Sequence, residues 1–146
     1  MKINLINLLP LTVLIPVVVF LILIFIKKQN EYLIYKLSIS GLFVQLIIIS
    51  ILFALWVSNR LLEYYIKIPL YQSADYNFNV LFHLNYYEFV FSYVGIILCL
   101  LISYYSRFYL HREDGFKRFY TTFHLFYIGY YLIVVSGNFE TLFLGW

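Results

Sequence analysis

Charged residues are scarce in this sequence. Asp, Glu, Lys and Arg make up 12% of its 146 residues, whereas hydrophobic residues make up 64%. A typical soluble domain has about 25% charged residues. So many apolar side chains cannot be hidden in the one small core that a chain of this length builds. The composition excludes a water-soluble fold and predicts a protein that has the bilayer as its solvent.

Cysteine is also scarce, and catalytic motifs and clustered metal ligands are missing. Cys99 is the single cysteine, which excludes a disulfide framework and a cysteine metal cluster. The sequence has no glycine-rich phosphate loop, no HExxH motif and no GxSxG motif, so we expect no catalytic centre, metal or cofactor. The net charge of +3 is small and lies in short loops, which does not favour nucleic-acid binding.

The sequence contains four long apolar runs, at residues 5–26, 37–57, 86–105 and 119–135. Each is close to the ~20 residues that a helix needs to cross the hydrocarbon core. Residues 139–146 begin another apolar segment, which is too short to cross. We therefore predict an all-α membrane protein in which residues 1–146 form a single transmembrane module. It would have four transmembrane helices and the start of a fifth.

A cleaved signal peptide is the alternative interpretation of the first run. The run is longer than the apolar core of a signal peptide and has no small-residue cleavage site. It is also followed, rather than preceded, by its lysines, Lys27 and Lys28. We therefore expect this run to remain in the protein as a helix.

Residues 58–85 separate the second and third runs and are more polar. They mix Arg60, Glu63, Lys67 and Asp75 with aromatic residues, so we predict an extramembrane connector. Partial alternation of apolar and polar residues over 76–82 indicates a short surface strand or hairpin within it.

Basic residues are distributed unequally between the predicted loops. With four alternating crossings, seven lie on one side of the membrane and three on the other. The first group is Lys27, Lys28, Lys36, Arg107, Arg112, Lys117 and Arg118, and the second is Lys2, Arg60 and Lys67. Because loops rich in Lys and Arg stay in the cytoplasm, we expect a multi-pass protein of the inner cell membrane. Its N-terminus and the 58–85 connector would lie outside the cytoplasm.

Two ionisable residues fall inside the predicted crossings, where such groups are costly and are candidates for function. Glu88, near the outer end of the third helix, is either a structural carboxylate, which reaches the interface or pairs with a basic side chain, or part of a proton path. His124, in the fourth helix, is either a hydrogen-bonded bundle histidine or a proton relay, because imidazole titrates near neutral pH. We favour the structural alternative for both. Haem ligation by His124 is not favoured, because His83 and His111 fall in loops.

Ordered motifs in residues 85–146 resemble one group of membrane proteins. The motifs are Tyr105-Ser106 with Tyr109, Arg112-Glu113-Asp114-Gly115-Phe116, Arg118-Phe119-Tyr120, Leu125-Phe126, Ser136-Gly137-Asn138 and Leu142-Phe143-Leu144-Gly145-Trp146. Their order and spacing are similar to the N-terminal part of antiporter-like, proton-translocating subunits. These include the subunit L (subunit 5) type of NADH-quinone oxidoreductase, the large subunits of cation/proton antiporters and the membrane partners of inorganic-carbon uptake systems. Residues 1–84 agree only in general plan.

The resemblance implies that full-length relatives move protons, while other subunits perform any NADH or quinone chemistry. The positions that it assigns to the family motif are Tyr105, Ser106, Arg112, Gly115, Arg118, Phe119, Asn138, Gly145 and Trp146. In the family a Glu directly follows Gly-Trp and a Lys on a later helix is its partner, and both positions lie beyond Trp146. The resemblance therefore implies an N-terminal portion that is inactive alone. Its partners would be membrane lipid and the other membrane subunits of a proton-translocating complex.

Carboxylates also mark departures from the family pattern. Asn85 stands where the family usually has an Asp, and Glu88 stands where a small hydroxyl residue is common. Glu140 precedes the expected Glu position by seven residues, which is close to two helical turns. It is therefore a candidate for an auxiliary proton path, and the favoured alternative is an interface anchor at a helix start.

Two other functions remain open from the sequence. A non-catalytic membrane scaffold or assembly subunit would have the same helices and dock to a partner that supplies others. A membrane partner of an inorganic-carbon uptake system would share the fold and differ in its associated soluble subunit.

Overall fold

The computed structural model of the chain describes residues 5–58, 64–72 and 77–146. These residues form five helices and one two-stranded antiparallel sheet. In chain order the elements are α1 (Leu5–Phe25), α2 (Glu31–Ser58), β1 (Tyr64–Gln72), β2 (Asn77–Leu84), α3 (Tyr86–Tyr109), α4 (Phe116–Val134) and α5 (Phe139–Gly145). The fold is therefore mostly helical, as the apolar runs predict.

The expectation of an all-α fold is wrong for the connector between α2 and α3, which contains the β1–β2 hairpin. The strands pair antiparallel, with a register irregularity after Pro69. Tyr and Ile are frequent in β1 and favour a strand. In β2 every second side chain is buried, namely Val80, Phe82 and Leu84. The alternation over 76–82 thus correctly indicates a hairpin. Residues 73–76, which include Tyr76, lie outside the described residues.

Three helices extend beyond the apolar runs that predict them. α2 begins at Glu31 instead of Leu37, α3 ends at Tyr109 instead of Tyr105, and α4 begins at Phe116 instead of Phe119. The added turns contain charged residues, so they do not belong to the apolar runs. Glu31 in the first turn of α2 is also favourably placed for the helix dipole.

Two helices, α2 and α3, are long and apolar enough to cross a membrane. The most apolar 18-residue windows in these two helices have mean hydropathies of 2.4 and 1.9. In α1 the segment Leu9–Phe25 is apolar but shorter, and α4 combines apolar residues with Lys117, Arg118 and several tyrosines. Length and hydropathy therefore support two of the four expected crossings.

The helices pack as a bundle in which α1 lies against α2 and α4, and α2 lies against α3. Close approaches occur where a side chain is absent. A Cβ at Gly41 in α2 would lie 2.6 Å from Val19 Cγ2 in α1. A Cβ at Gly129 in α4 would lie 2.8 Å from the Gly145 carbonyl oxygen in α5. Small residues at these positions let the helix backbones come together.

The two ends of the bundle are closed by different contacts. At one end, which we call the basic end, the loops 26–30 and 110–115 meet, and Lys28 Nζ lies 2.7 Å from Asp114 Oδ1. At the other end, the hairpin end, the backbone nitrogen of His83 donates to the Val135 carbonyl at 2.9 Å. The N–H of Gly137 likewise donates to the Leu81 carbonyl at 2.7 Å. The sides between these ends expose mainly apolar residues.

Candidate functional site

One face of α4 carries a column of polar-tipped side chains into the bundle. The buried residues of α4 are Phe116, Tyr120, His124, Tyr127 and Tyr131, each at most 2% exposed. Their spacing of four, four, three and four residues keeps them on one helix face. After Phe116, every member has a hydroxyl or ring nitrogen. The interior of this bundle is therefore lined by groups that can exchange hydrogen bonds.

His124 lies in the interior with a short hydrogen bond. Its Nε2 is 2.5 Å from Ser38 Oγ in α2, and both side chains are buried. Its Nδ1 is also buried and has no hydrogen-bond partner among the described residues. The structure therefore contains the hydrogen-bonded bundle histidine that the sequence favours. A role as a proton relay is compatible with this geometry and stays a prediction.

Two tyrosines connect the column to neighbouring helices. Tyr120 donates to the Ser103 carbonyl in α3 at 2.8 Å. Tyr131 donates to Thr12 Oγ1 in α1 at 2.9 Å, and Thr12 donates in turn to the Leu9 carbonyl at 2.6 Å. These bonds hold α4 in a fixed rotation against α1 and α3.

Beside the middle of the column, α2 contributes Gln45, whose amide is buried against Tyr127. The Gln45 amide lies beside the Tyr127 hydroxyl and interacts with it, although no hydrogen bond of standard geometry joins these atoms to any of the described residues. Gln45 is 1% exposed and Tyr127 is fully buried. A buried polar group without a well-formed hydrogen bond costs about 1–3 kcal/mol, so the Gln45–Tyr127 contact is weaker in the interior than a bond of standard geometry would be.

Glu88 lies at the hairpin end, in the first turn of α3. Its Oε1 is 2.8 Å from His83 Nδ1, and the side chains of His83 and Glu88 are 19% and 14% exposed. The His83 ring stacks on Tyr65 with ring centroids 5.1 Å apart. Glu88 therefore has the basic partner that the favoured alternative expects. Its Oε2 is buried and has no partner among the described residues.

Glu140 also lies at the hairpin end and connects α5 to β2. Its Oε2 accepts from the backbone nitrogen of Asn79 at 2.9 Å and from Asn138 Nδ2 at 3.0 Å. Asn138 is the N-cap of α5 and accepts from the Thr141 backbone nitrogen at 3.0 Å. The geometry of Glu140 is that of an anchor at a helix start, and its role in a proton path stays a prediction.

The residues of the family motif do not form one cluster. They lie in α3, in the turn after it, in the first turn of α4, and in or beside α5. The full set is Tyr105, Ser106, Arg112, Gly115, Arg118, Phe119, Asn138, Gly145 and Trp146. Gly115 is the N-cap of α4 and Asn138 is the N-cap of α5. Arg112 has a φ of 66°, and its backbone nitrogen donates to Glu31. Several of these positions therefore shape helix ends and turns.

The sequence by itself indicates His124 but not the residues that surround it. Gln45, Tyr127 and Tyr131 receive no role from the sequence alone, because tyrosines are abundant and a lone glutamine has no motif. A usable signal does exist, since polar-tipped residues recur every three or four positions from Tyr120 to Tyr131. Among the described residues, His, Cys, Asp and Glu form no group of three or more that could hold a metal.

Comparison of the chain with protein-family models and with curated proteins gives no match.

Proposed function

We propose that the chain is the N-terminal portion of a proton-translocating membrane subunit of the type found in NADH-quinone oxidoreductase (subunit L) and cation/proton antiporters. In this proposal α1 to α4 cross the inner cell membrane and α5 begins a fifth crossing. The chain is inactive alone and works with other membrane subunits. The observation that carries the proposal is the buried polar column of α4, with the buried Gln45 of α2 beside it.

The distribution of polarity supports placing the bundle in a membrane. Large apolar side chains are exposed along the sides of the helices, for example Leu14, Ile47, Leu98 and Phe126, which are 52–66% exposed. The charged side chains of the described residues are at the two ends of the bundle or near them. This is the arrangement that a bilayer requires of a helical protein.

The chemistry of the column supports proton handling. A tyrosine hydroxyl donates and accepts hydrogen bonds, and a neutral imidazole has one nitrogen of each kind. The column covers the stretch from Tyr120 to Tyr131, about 16 Å at 1.5 Å per residue, which is roughly half the hydrocarbon thickness. A proton that enters at one end of the bundle would meet such groups through this stretch.

The same column supports the proposal that other helices are needed. Of the described residues, none that is buried between the helices carries a carboxylate or an ammonium group. A carboxylate in low dielectric beside a movable cation is what switches a site between holding and releasing a proton. Partner helices would supply that pair, and partner subunits would supply any redox reaction.

A membrane scaffold or assembly subunit is the second candidate. It is favoured by the bonds of Tyr120 and Tyr131, which join α4 to α3 and α1 and would serve equally in a purely structural bundle. A membrane partner of an inorganic-carbon uptake system is a third candidate with the same helices.

Proton pumping in native membranes separates the proton-translocating subunit from the scaffold. The test uses host-membrane vesicles with a pH-sensitive dye and compares wild type with His124→Leu and Tyr127→Phe. Ser40→Ala is the control, because Ser40 is exposed and bonds within its own helix. We expect both column variants to lower pumping about tenfold, equivalent to about 1.4 kcal/mol, at unchanged abundance of the chain. Pumping that follows abundance alone in every variant would favour the scaffold.

A further inference from the structure

The basic end of the bundle has a positively charged groove between the end of α1 and the start of α4. The groove has a volume of about 420 Å³, and its charged lining residues are Lys28, Asp114, Lys117 and Arg118. Three cations therefore face one carboxylate, so the groove has a surplus of positive charge.

The contacts of these side chains show which charges are uncompensated. Lys28 is paired with Asp114 at 2.7 Å. Lys117 Nζ donates to the Ile24 carbonyl at 2.7 Å, which leaves its positive charge and two of its protons available. Arg118 is exposed and forms no ion pair with a carboxylate of the described residues. Lys117 and Arg118 thus supply the surplus.

An apolar groove continues from the charged one along α4. It has a volume of about 670 Å³, shares Arg118 and Thr122 with the charged groove, and is lined by Phe119, Phe123 and Phe126. The rings of Phe119 and Phe123 are nearly parallel, with centroids 5.7 Å apart and planes at 11°. Together these rings form an apolar wall about 10 Å long, from seven residues at 1.5 Å each.

We propose that the two grooves together bind one anionic phospholipid. Its phosphate accepts hydrogen bonds from Lys117 and Arg118, and one acyl chain lies along the wall of Phe119, Phe123 and Phe126. Basic pockets at helix ends are suited to anionic headgroups. The joined apolar wall favours a lipid over a free phosphate, and the positive surplus favours an anionic lipid over a zwitterionic one.

The order of these groups along α4 fits a bilayer leaflet. Arg118 is in the first turn of α4, and Phe126 lies about 12 Å further along the helix, from eight residues at 1.5 Å each. A phosphate at the level of Arg118 would therefore place its acyl chain toward the hydrocarbon core. This inference rests on the proposed membrane placement of α4 and is independent of proton translocation.

Lipid retention by the full chain tests the site. The purified chain in detergent micelles is titrated with phosphatidylglycerol or phosphatidylcholine of equal chain length, and binding is followed by native mass spectrometry. We expect phosphatidylglycerol to bind about tenfold more tightly. The double variant K117Q/R118Q should bind it about thirtyfold more weakly, at about a fivefold loss for each cation. The double variant F123A/F126A should bind both lipids more weakly.

The matched control is K27Q/K36Q, which removes the same charge at the same end of the bundle from residues that do not line the groove. It should keep the wild-type affinity. The variant K117R/R118K should also keep it, because both positive charges remain in the groove. Soluble glycerol phosphate should not displace the lipid. Equal retention of the two lipids, an equal loss in both glutamine variants, or displacement by glycerol phosphate would each overturn the proposal. Lipid binding does not depend on proton translocation. If the chain proves to have no part in proton pumping, the expected lipid affinities stay the same.

Discussion

At the scale of single residues, the interior of the bundle combines satisfied and unsatisfied polar groups. His124 has a partner in Ser38 for one ring nitrogen, whereas the Gln45 amide lies beside the Tyr127 hydroxyl without a hydrogen bond of standard geometry among the described residues. In an apolar environment these two situations have opposite consequences for stability. Removing the partner of a buried group is costly, whereas removing an unpartnered group is not.

Replacing Ser38 by Ala should therefore lower the free energy of unfolding by about 1–2 kcal/mol, because His124 Nε2 loses its partner and stays buried. Unfolding of the detergent-solubilised chain in increasing denaturant measures the change. The control is Ser40→Ala, since Ser40 is exposed and bonds to the Leu37 carbonyl of its own helix. Equal losses of free energy in the two variants would mean that the Ser38–His124 bond stabilises the fold no more than the bond of the exposed Ser40 does.

Replacing Gln45 by Leu should raise the free energy of unfolding by about 1 kcal/mol, because two polar atoms that make no well-formed hydrogen bond leave the interior. If the column handles protons, the same variant should lower pumping in host membranes. Stability gained at the cost of function is the usual outcome at a functional site. A Gln45→Leu variant that is less stable than wild type would show that the amide has partners in the folded protein.

At the scale of elements, short connections decide how the helices meet. α5 approaches α4 closely, because neither Gly129 nor Gly145 carries a side chain at the contact. At the basic end, Lys28 with Asp114 joins the two loops. His111 of the second loop contacts Glu31 at the start of α2, with an Nδ1–Oε2 distance of 2.9 Å. These contacts, and not the apolar runs, set the relative positions of the helix ends.

Replacing Gly129 by Ala should lower the free energy of unfolding by about 1–3 kcal/mol, because the new Cβ meets backbone that cannot rotate away. Protease protection of α5 should fall in the same variant. Thr122→Ala serves as the control, since Thr122 is exposed on the same helix and bonds to the Arg118 carbonyl. Full protection of α5 in Gly129→Ala would show that α4 and α5 tolerate a wider separation.

The Lys28–Asp114 contact should respond to acid and to salt. The hydrogen bond and the charge of Lys28 hold the pKa of Asp114 below its usual value of 3.8. Because the folded-state pKa is lowered, the stabilisation is present above the usual pKa and is lost as the pH falls through the lowered one. Chemical-shift titration of Asp114 in wild type and in Lys28→Gln measures the difference. The shift should shrink in high salt, because both side chains are well exposed.

At the scale of the whole molecule, the predicted orientation is open to a direct test. The basic end should face the cytoplasm and the hairpin end should face outward, because the Lys and Arg residues of the loops favour the cytoplasmic side. Reporter fusions at Gly115 should therefore report a cytoplasmic position, and fusions at Asp75, which lies outside the described residues, an external one. The reverse pattern would overturn the orientation. If both fusions reported the same side of the membrane, α3 would not cross it.

Much of the helical fold could be predicted from the sequence, and less of the site. The apolar runs locate α1 to α4, because helix formation in an apolar solvent depends on local sequence. Their ends could not be placed, since Glu31 and Phe116 belong to turns that are partly charged. The hairpin was indicated only in part, because strand pairing depends on residues that are distant in sequence. His124 was identified by its chemistry, whereas its bond to Ser38 depends on how α2 and α4 pack.

Composition and run length were enough to establish that this chain is mostly helical and strongly apolar, because both act locally and need no knowledge of packing. Which polar residues come together was settled by the packing of the helices. It placed Gln45, His124 and Tyr127 in the interior of the bundle and Lys28, Lys117 and Arg118 in one groove, because such neighbours are brought together by the rotation and closeness of packed helices.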